Sequence, residues 1–266
     1  MPTTLTIPKH SAPYWLIHDA LILIGRSLRH IFRNLDQLLG LAIQPMMFML
    51  LFRYVFGGAI NTGETSYVNF LTAGIVVQNA AFGALTTSLS VNADMTRGIM
   101  DRFRSLPMSN AVVMIGHVTA DLVRNILSSI LLILVALVVG FRPVAGVGDW
   151  LLIVGILLLF TFAISWISAI MGLLAKSFEA VQWMGFLAIF PLTFASAAFA
   201  PTDTMPAGLR IFAENQPVTH VIEAIRALMI GTPIGNHATL AIIWCIAIVA
   251  VAIPLAAHIF RTRGQA

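Results

Sequence analysis

Six long apolar runs, separated by short polar segments, constrain this chain more than any other feature of its sequence. An α-helix needs roughly 20 mostly apolar residues to cross the hydrocarbon core of a bilayer. The runs occupy residues 37–56, 65–93, 112–141, 150–175, 180–199 and 238–260. Because only 10% of the 266 residues are charged and 59% are hydrophobic, a soluble fold would lack the charge to cover its surface. The sequence therefore predicts an all-α integral membrane protein with six transmembrane helices.

The distribution of Lys and Arg predicts which loops face the cytoplasm, because cytoplasmic loops of membrane proteins are enriched in both. With the N-terminus inside, ten of these residues fall on the inner side: Lys9, Arg26, Arg29, Arg33, Arg97, Arg102, Arg104, Lys176, Arg261 and Arg263. The outer side holds Arg142, Arg210 and Arg226, with Arg53 near that face. We therefore expect a multi-pass protein of the cell (inner) membrane with both termini in the cytoplasm.

Two segments outside the runs carry helical patterns of their own within what we expect to be a single domain, 1–266. The cytoplasmic N-terminal segment, 1–35, has apolar residues at helical spacing from Ile17 to Phe32, which predicts a helix lying in the membrane interface. A loosely attached helix is the alternative. The longest outer loop, 200–236, is divided by four prolines and predicts short helices. One of them, around residues 221–229, is expected to dip into the outer interface.

A charged island at residues 94–109, DMTRGIMDRFRSLPMS, separates the second run from the third. At 100° per residue its apolar side chains fall on one arc and its charged side chains on the opposite arc, and Pro107 is expected to end the helix. The apolar arc holds Met95, Ile99, Met100, Phe103 and Leu106, and the charged arc holds Asp94, Arg97, Asp101 and Arg104. Such a helix suits either of two roles, resting on lipid or docking on a partner protein.

The sequence lacks the common catalytic motifs. The chain has no Gly-Lys dipeptide, and so it has no phosphate-binding loop of the GxxxxGK[ST] kind. It has one cysteine, Cys245, and neither an HExxH nor a GxSxG motif. We expect a protein that is not an enzyme, has no catalytic or metal-binding residues and binds no cofactor itself.

The runs nevertheless contain polar and aromatic residues that are candidates for a functional role. The second run carries the amides of Gln78 and Asn79, which suit either helix packing or the lining of a transport route. In the fifth run, Pro191 lies among phenylalanines and predicts a kink, and these rings suit an apolar route or core packing. Asp121 and Arg124 predict a structural ion pair at the membrane edge rather than a proton relay with His117.

Four stretches of the chain carry a resemblance to a known family. They read QPMMFMLLFRYVFGG, YVNFLTAGIVVQ, DMTRGIMDRFRSLPMS and FAPTDTMPAGLRIFAENQPVTHVIEAIRALMIGTP. The chain resembles the permease subunits of ABC-2 type exporters, the daunorubicin-resistance-like branch, over nearly its whole length. The residues that match the family pattern are Gly98, Arg102, Leu106, Pro107, Phe199, Pro201, Met205, Pro206, Pro217, Thr219 and Arg226. The family often has Asn-Pro where this chain has Gln216-Pro217.

The resemblance implies a permease subunit of an ATP-driven exporter that moves an amphipathic drug, antibiotic or lipid outward. It implies that the island is a coupling helix on a separate ATPase subunit, which would bind the ATP and Mg. It also implies that two permeases, identical or sister chains, enclose the pathway. The coupling residues would then be Arg97, Ile99, Arg102, Phe103, Arg104 and Leu106. The pathway candidates are Phe48, Phe52, Gln78, Asn79, Phe82, Phe190 and Phe194.

Three alternatives remain open at this stage. One is a polysaccharide exporter of the same fold, another is an ATP-independent proton-coupled carrier, and the third is an immunity or scaffold protein that only sequesters a ligand. A carrier would need titratable groups along its route, and Asp121 is the one that the sequence offers. We expect no contact with nucleic acid, since the basic residues do not cluster on a soluble domain.

Overall fold

The structure, a computed structural model, describes residues 35–60, 62, 65–97 and 110–262. Most of the predicted N-terminal segment 1–35 and residues 98–109 of the charged island lie outside the described residues. All regular secondary structure in the described part is helical. In chain order the α-helices are α1 (Leu35–Leu51), α2 (Tyr67–Gly83), α3 (Leu85–Thr96), α4 (Asn110–Val139), α5 (Val147–Leu174), α6 (Phe178–Phe194), α7 (Ala207–Asn215), α8 (Pro217–Ile230) and α9 (His237–Thr262). A π-helical turn, Phe52–Phe56, extends α1, and a 3₁₀ turn, Thr202–Thr204, precedes α7.

The helix ends follow from local sequence. The Ser66 and Ser177 hydroxyls accept hydrogen bonds from the free backbone N–H groups of Asn69 and Ala180, and so they cap α2 and α6. Gly140 follows α4 with φ +113°, and Gly231 ends α8 with φ +79°. Only glycine adopts such angles at little cost, and the chain can therefore turn sharply at both positions.

Each predicted apolar run is helical, but the helices differ in length. Within the described residues, four helical stretches are long and apolar enough to cross a membrane: Tyr67–Thr96, Met114–Val139, Val147–Leu174 and His237–Phe260. The shortest of these has 24 residues, about 36 Å at 1.5 Å per residue, against a hydrocarbon core of about 30 Å. The first and fifth predicted spans correspond to the shorter apolar helices Ile43–Phe56 and Phe178–Phe194.

The second predicted span is two helices, α2 and α3, joined at Ala84. The Thr86 and Ser88 hydroxyls donate to the backbone carbonyls of Gly83 and Leu85 at 2.7 Å, so side chains partly replace the regular helical pairing at this joint. Nearly every residue of α2 is buried. The expectation that this polar helix faces protein rather than lipid therefore agrees with the structure.

Helix α5 lies at the centre of the fold and packs against α3, α4, α8 and α9, while α1 lies against α2 and α4. The ends of α3, α5 and α9 and the starts of α4 and α6 form one end of the bundle, which we call the Arg97 end. Residues 57–60, 65–66, 140–146 and 195–236 form the opposite end, which we call the Gly140 end.

Helix α8 differs from the prediction for residues 221–229. The segment is helical, but it does not lie at an interface with one wet face. Nearly all of its side chains are buried, including His220 and Arg226, because it packs against α2, α5 and α9. The exposed amphipathic helix of this region is α7, whose Leu209, Ile211 and Phe212 are exposed. Periodicity alone could not separate the two, since an apolar face suits protein and lipid alike.

Candidate functional site

A pocket opens between α1 and α2 near the middle of the bundle. Its empty space, including the part open to the surroundings, is about 390 Å³. Phe48 on α1 and Phe82 on α2 provide aromatic walls, and none of the described residues that line it is charged. The lining residues are Gln44, Pro45, Phe48, Gln78, Asn79, Phe82 and Gly83. An uncharged pocket with aromatic walls and a few amides is suited to an apolar or amphipathic molecule.

Three amides line the pocket, those of Gln44, Gln78 and Asn79, and the two on α2 differ in their hydrogen bonding. The Asn79 amide donates to the Ser128 hydroxyl on α4 at 3.1 Å, and so it contributes to helix packing. Gln78 is only 4% exposed, yet its side-chain nitrogen has no hydrogen-bond partner within the described part of the chain. A buried donor left unpaired costs about 1–3 kcal/mol, and a bound acceptor would remove that cost. The Gln78 amide, beside the exposed amide of Gln44, is therefore a polar group of the pocket that suits a ligand.

A continuous line of aromatic rings runs beside the pocket, and we call it the aromatic row. Along α6, Phe186 lies 4.8 Å from Phe190, and Phe190 lies 4.1 Å from Phe194, between ring centroids. Phe199 follows at 5.0 Å from Phe194 and stacks on Phe52 of α1 at 4.3 Å. The row consists of Trp183, Phe186, Phe190, Phe194, Phe199, Phe52 and Phe56, with Phe48 beside Phe52 and Phe194.

The structure thus brings all seven predicted pathway candidates into one region. Phe48, Gln78, Asn79 and Phe82 line the pocket, and Phe52, Phe190 and Phe194 lie in the row beside it. Sequence reasoning did not select Trp183, Phe186 or Phe199 for this role. The first two recur with Phe190 and Phe194 at helical spacing, which is a usable signal. Phe199 has no such signal, because a turn rather than a helix places it in the row.

A buried ion pair lies between α3, α4 and α5. Asp121 is 0% exposed, and its carboxylate accepts hydrogen bonds from Ser165 of α5, Thr86 of α3 and its own neighbour Arg124. Arg124 also donates to the Thr86 hydroxyl. We call Thr86, Asp121, Arg124 and Ser165 the polar cluster. The pair predicted from the sequence is present, but three helices surround it, and it does not lie on the surface of one helix.

His117 has a different partner from the one considered in the sequence. Its ring nitrogen Nε2 lies 3.0 Å from the Asp94 carboxylate at the end of α3, and so it joins α3 to α4. Within the described residues, no three His, Cys, Asp or Glu side chains come together as metal ligands would. The contact of His117 with Asp94 fits a structural bridge better than a relay to Asp121.

The predicted coupling residues lie beyond the end of α3. Arg97 caps this helix and is exposed at the Arg97 end, while Ile99, Arg102, Phe103, Arg104 and Leu106 lie outside the described residues. The helix that leads into the island is firmly attached, because the Asn92 amide donates to the carbonyls of Gly172 at 3.2 Å and Ala175 at 2.9 Å. Asn92 therefore joins the end of α3 to the end of α5.

Two titratable groups at the Gly140 end are shifted by their surroundings. Burial lowers the pKa of Arg226, while the adjacent Glu223 carboxylate opposes that shift. Burial, and then the neighbouring His237, lowers the pKa of His220. The Nδ1 atoms of His220 and His237 are 3.2 Å apart, which joins α8 to α9.

Comparison with known sequences identifies the family. The sequence profile described as "ABC-2 type transporter" matches residues 18–230 of this chain. The chain belongs to the ABC-2 type transporter family. Members of this family normally work with an ABC ATPase partner. The resemblance stated from the sequence motifs is therefore confirmed.

Individual relatives of the ABC-2 family agree with this assignment. The chain is 30% identical to the daunorubicin resistance ABC transporter permease protein DrrB1 of Streptomyces coeruleorubidus, over 91% of this chain and 88% of that protein. It is 22% identical to the probable doxorubicin resistance ABC transporter permease protein DrrC of Mycobacterium tuberculosis, over 96% and 92%. It is also 28% identical to the putative transport permease ycf38 of Porphyra purpurea, over 82% and 76%.

The family and the long apolar helices make this chain a multi-pass membrane protein. Its relatives are named as transporter permeases, and the chain itself has no phosphate-binding loop. The pocket and the aromatic row are therefore best considered as parts of a transport protein.

Proposed function

We propose that this chain is the membrane subunit of an ATP-driven exporter. It moves an amphipathic drug, antibiotic or lipid outward, and a separate ATPase subunit that binds ATP and Mg supplies the energy. The observation that carries this proposal is the uncharged pocket beside an unbroken aromatic row, in a chain related over nearly its full length to a drug-resistance permease. Rings and uncharged amides suit an amphipathic compound, since stacking and hydrogen bonding to an amide require no charge on the ligand.

In the proposed topology six helices cross the inner membrane and both termini are cytoplasmic. The Arg97 end is then the cytoplasmic end and the Gly140 end is the outer end. Helix α6, at 17 residues or about 26 Å, is short for a span, but the turn that follows it continues the apolar path to Phe199. Helix α1 also has 17 residues, and its five-residue π-helical turn makes it longer than α6.

The pathway in this proposal lies between two copies, or two sister chains, and follows the aromatic row. Exposed apolar side chains cover the outward faces of α1 and α6, among them Met47, Tyr54, Trp183 and Leu187. A second permease facing these helices would enclose the row and the pocket. The Gln78 amide would then donate to an acceptor on the passing compound.

Energy enters through the island 94–109, whose apolar arc docks on the ATPase. Replacing Phe103 by Asp would place a charge in that contact. We expect ATP-dependent transport to fall about tenfold or more, because an interface anchor typically contributes on the order of 2 kcal/mol. The variant should retain the thermal stability of the spans, and Phe103→Leu should retain transport. Normal transport and normal co-purification with the ATPase in Phe103→Asp would refute this role.

The function itself is tested in inside-out membrane vesicles that contain this chain and its ATPase. Daunorubicin is a suitable probe, because the relative with 30% identity is named for resistance to it. We expect accumulation that requires ATP and persists when an uncoupler removes the proton gradient. Accumulation that the uncoupler abolishes and ATP does not support would favour a proton-coupled carrier. Binding of daunorubicin without any accumulation would favour a sequestering protein.

A further inference from the structure

A buried arginine crosslinks three parts of the chain at the Gly140 end. Arg226 on α8 is only 5% exposed. Its Nε donates to the Phe70 carbonyl on α2 at 3.0 Å, one terminal nitrogen donates to the Ala197 carbonyl, and the other pairs with Glu223. The guanidinium carbon also lies 3.6 Å above the centre of the Phe70 ring. A buried side chain with this many contacts has little freedom to move. The backbone segments that it binds are therefore held in fixed positions.

The part that Arg226 holds is the turn at residues 195–200, between α6 and the 3₁₀ turn. Other polar groups hold the same turn: the Thr219 hydroxyl accepts from the Ala197 N–H at 3.2 Å, and the Gln216 amide donates to the Ala195 carbonyl at 3.1 Å. The Tyr67 hydroxyl donates to the Phe199 carbonyl at 3.0 Å. The backbone is also packed closely, since a Cβ on Gly74 would lie 2.2 Å from the Ala198 carbonyl oxygen.

This turn places one ring of the aromatic row. Phe199 stacks on Phe52 of α1 and lies 5.0 Å from Phe194 of α6, and it is 7% exposed. Without Phe199, the row along α6 and the rings of α1 would meet only through Phe48 and Phe194, whose ring centroids are 6.2 Å apart. The turn therefore closes the row at the Gly140 end, which is the outer end in the proposed orientation.

We propose that Arg226 is a positioning residue for the transport route, which holds the 195–200 turn so that Phe199 seals the row between Phe52 and Phe194. This inference rests on the proposed function, because closing the aromatic row affects transport only if the substrate passes along that row. Arg226 itself touches neither the row nor the pocket. It acts through the Ala197 carbonyl, two residues before Phe199.

The geometry of the contacts requires arginine. A guanidinium is a planar fork that can donate in several fixed directions while its face covers a ring. A lysine ammonium would keep the charge near Glu223, but it could not serve the carbonyls of Phe70 and Ala197 and cover the Phe70 ring together. Lysine is therefore expected to be a partial replacement, and glutamine a poor one.

The test measures exposure of the turn by cysteine labelling in the full complex with its ATPase, reconstituted in vesicles. Cys245, the sole cysteine, is replaced by Ala, and one cysteine is introduced at Ala198, which is fully buried in the turn. A second reporter, Ala241→Cys, is buried on α9, outside the turn. A membrane-impermeant maleimide, present on the side of the membrane that the Gly140 end faces, then reports how often each position opens to water.

We expect Arg226→Gln to raise the labelling rate at position 198 about tenfold or more and to leave position 241 unchanged, with Arg226→Lys between wild type and Arg226→Gln. Arg210→Gln is the matched control, because Arg210 is exposed on α7 and paired only with Glu214 at its surface. An unchanged rate at position 198 in Arg226→Gln would overturn the inference. An equal rise at both positions would also overturn it, since it would indicate general unfolding.

A second readout in the same vesicles separates this inference from the proposed function. With no ATP present, vesicles preloaded with daunorubicin should leak it about threefold faster or more in Arg226→Gln than in Arg210→Gln, because an open turn breaks the seal. Faster labelling without faster leakage would keep the role of Arg226 in holding the turn but would overturn the seal. Intact ATP-dependent transport together with unchanged labelling would keep the proposed function and remove the role of Arg226.

Discussion

The two flanks of this bundle are held together by different forces. Helices α3, α4 and α5 are joined by polar side chains, through the polar cluster, the bond from Asn92 to the end of α5 and the contact of His117 with Asp94. In contrast, the described side chains of α1 and α6 make no hydrogen bond to another helix. These two segments meet instead through rings, by the edge contact of Phe48 with Phe194 and by the stack of Phe52 on Phe199. Polar contacts fix one geometry, whereas ring contacts can slide at little cost. The comparison indicates a rigid frame beside a deformable flank.

Removal of the buried carboxylate should have the largest effect on the rigid frame. Asp121→Ala leaves Arg124 without its ion pair and leaves the Ser165 hydroxyl without an acceptor. We expect a loss of about 3 kcal/mol in the free energy of unfolding, as for other broken buried pairs. The measurement is unfolding in detergent micelles. Glu214→Ala, which removes an exposed partner of Arg210, should change stability by less than about 1 kcal/mol. Equal effects of the two variants would contradict the rigid frame.

The second-largest difference in stability between the two flanks should come from close backbone packing. A Cβ on Gly172 of α5 would lie 2.4 Å from the Ser88 carbonyl oxygen of α3, and a rigid backbone cannot yield easily. We expect Gly172→Ala to cost about 2 kcal/mol in unfolding free energy. On α6, a Cβ on Gly185 would meet only the tip of the Leu85 side chain, which can rotate, so that Gly185→Ala should cost less.

Gly155, which lies on α5 like Gly172, provides the control for this pair of variants. No atom lies within 4 Å of a Cβ at that position, and replacement by Ala should be neutral or stabilise the helix by up to about 1 kcal/mol. A larger loss in Gly185→Ala than in Gly172→Ala would reverse the comparison between the flanks.

The smallest expected effect is the pH dependence of stability that arises where α8 meets α9. The ring centroids of His220 and His237 are 5.4 Å apart with their Nδ1 atoms at 3.2 Å, so the rings meet head-on and share an N–H···N bond. Because the pKa of His220 is lowered in the folded state, the unfolded chain binds the proton more tightly. Stability is then constant above about pH 6.5 and falls as the pH drops below that value.

The measurement is the unfolding midpoint between pH 7.5 and pH 5. We expect the midpoint to fall in wild type, and to fall less in His220→Asn, which cannot take up the proton. His258→Asn on exposed α9 surface should behave as wild type. A wild-type midpoint that is independent of pH would show that the pair is not a stabilising contact.

Most of the fold could be predicted from the sequence, because its helices are specified by local residue patterns. Apolar runs and their spacing predict where helices form, since helix formation depends on neighbours within a few turns. The sequence also singled out Phe48, Phe52, Phe190 and Phe194 as pathway candidates, and the fold brings these four rings into one region. Their meeting in one row agrees with that selection but leaves their role to experiment.

Contacts between distant segments were not accessible in this way. The sequence offered Arg226 as an outer charge that reports topology, whereas in the fold it holds a turn 29 residues away. It likewise offered Asp121 as a neighbour for His117, at one helical turn, whereas the contact is with Asp94 on another helix. In both cases a local spacing suggested one partner, and packing of separate helices supplied another.

The central claim is that substrate follows the aromatic row in an ATP-driven exporter. Its most direct test is ATP-dependent daunorubicin transport by the complex in vesicles, comparing Phe194→Ala with Phe212→Ala, an exposed phenylalanine on α7 outside the row. We expect kcat/KM for transport to fall about tenfold in Phe194→Ala, as loss of a stacking anchor predicts, while Phe212→Ala matches wild type. Equal transport by both variants, at equal amounts of folded complex, would contradict the claim.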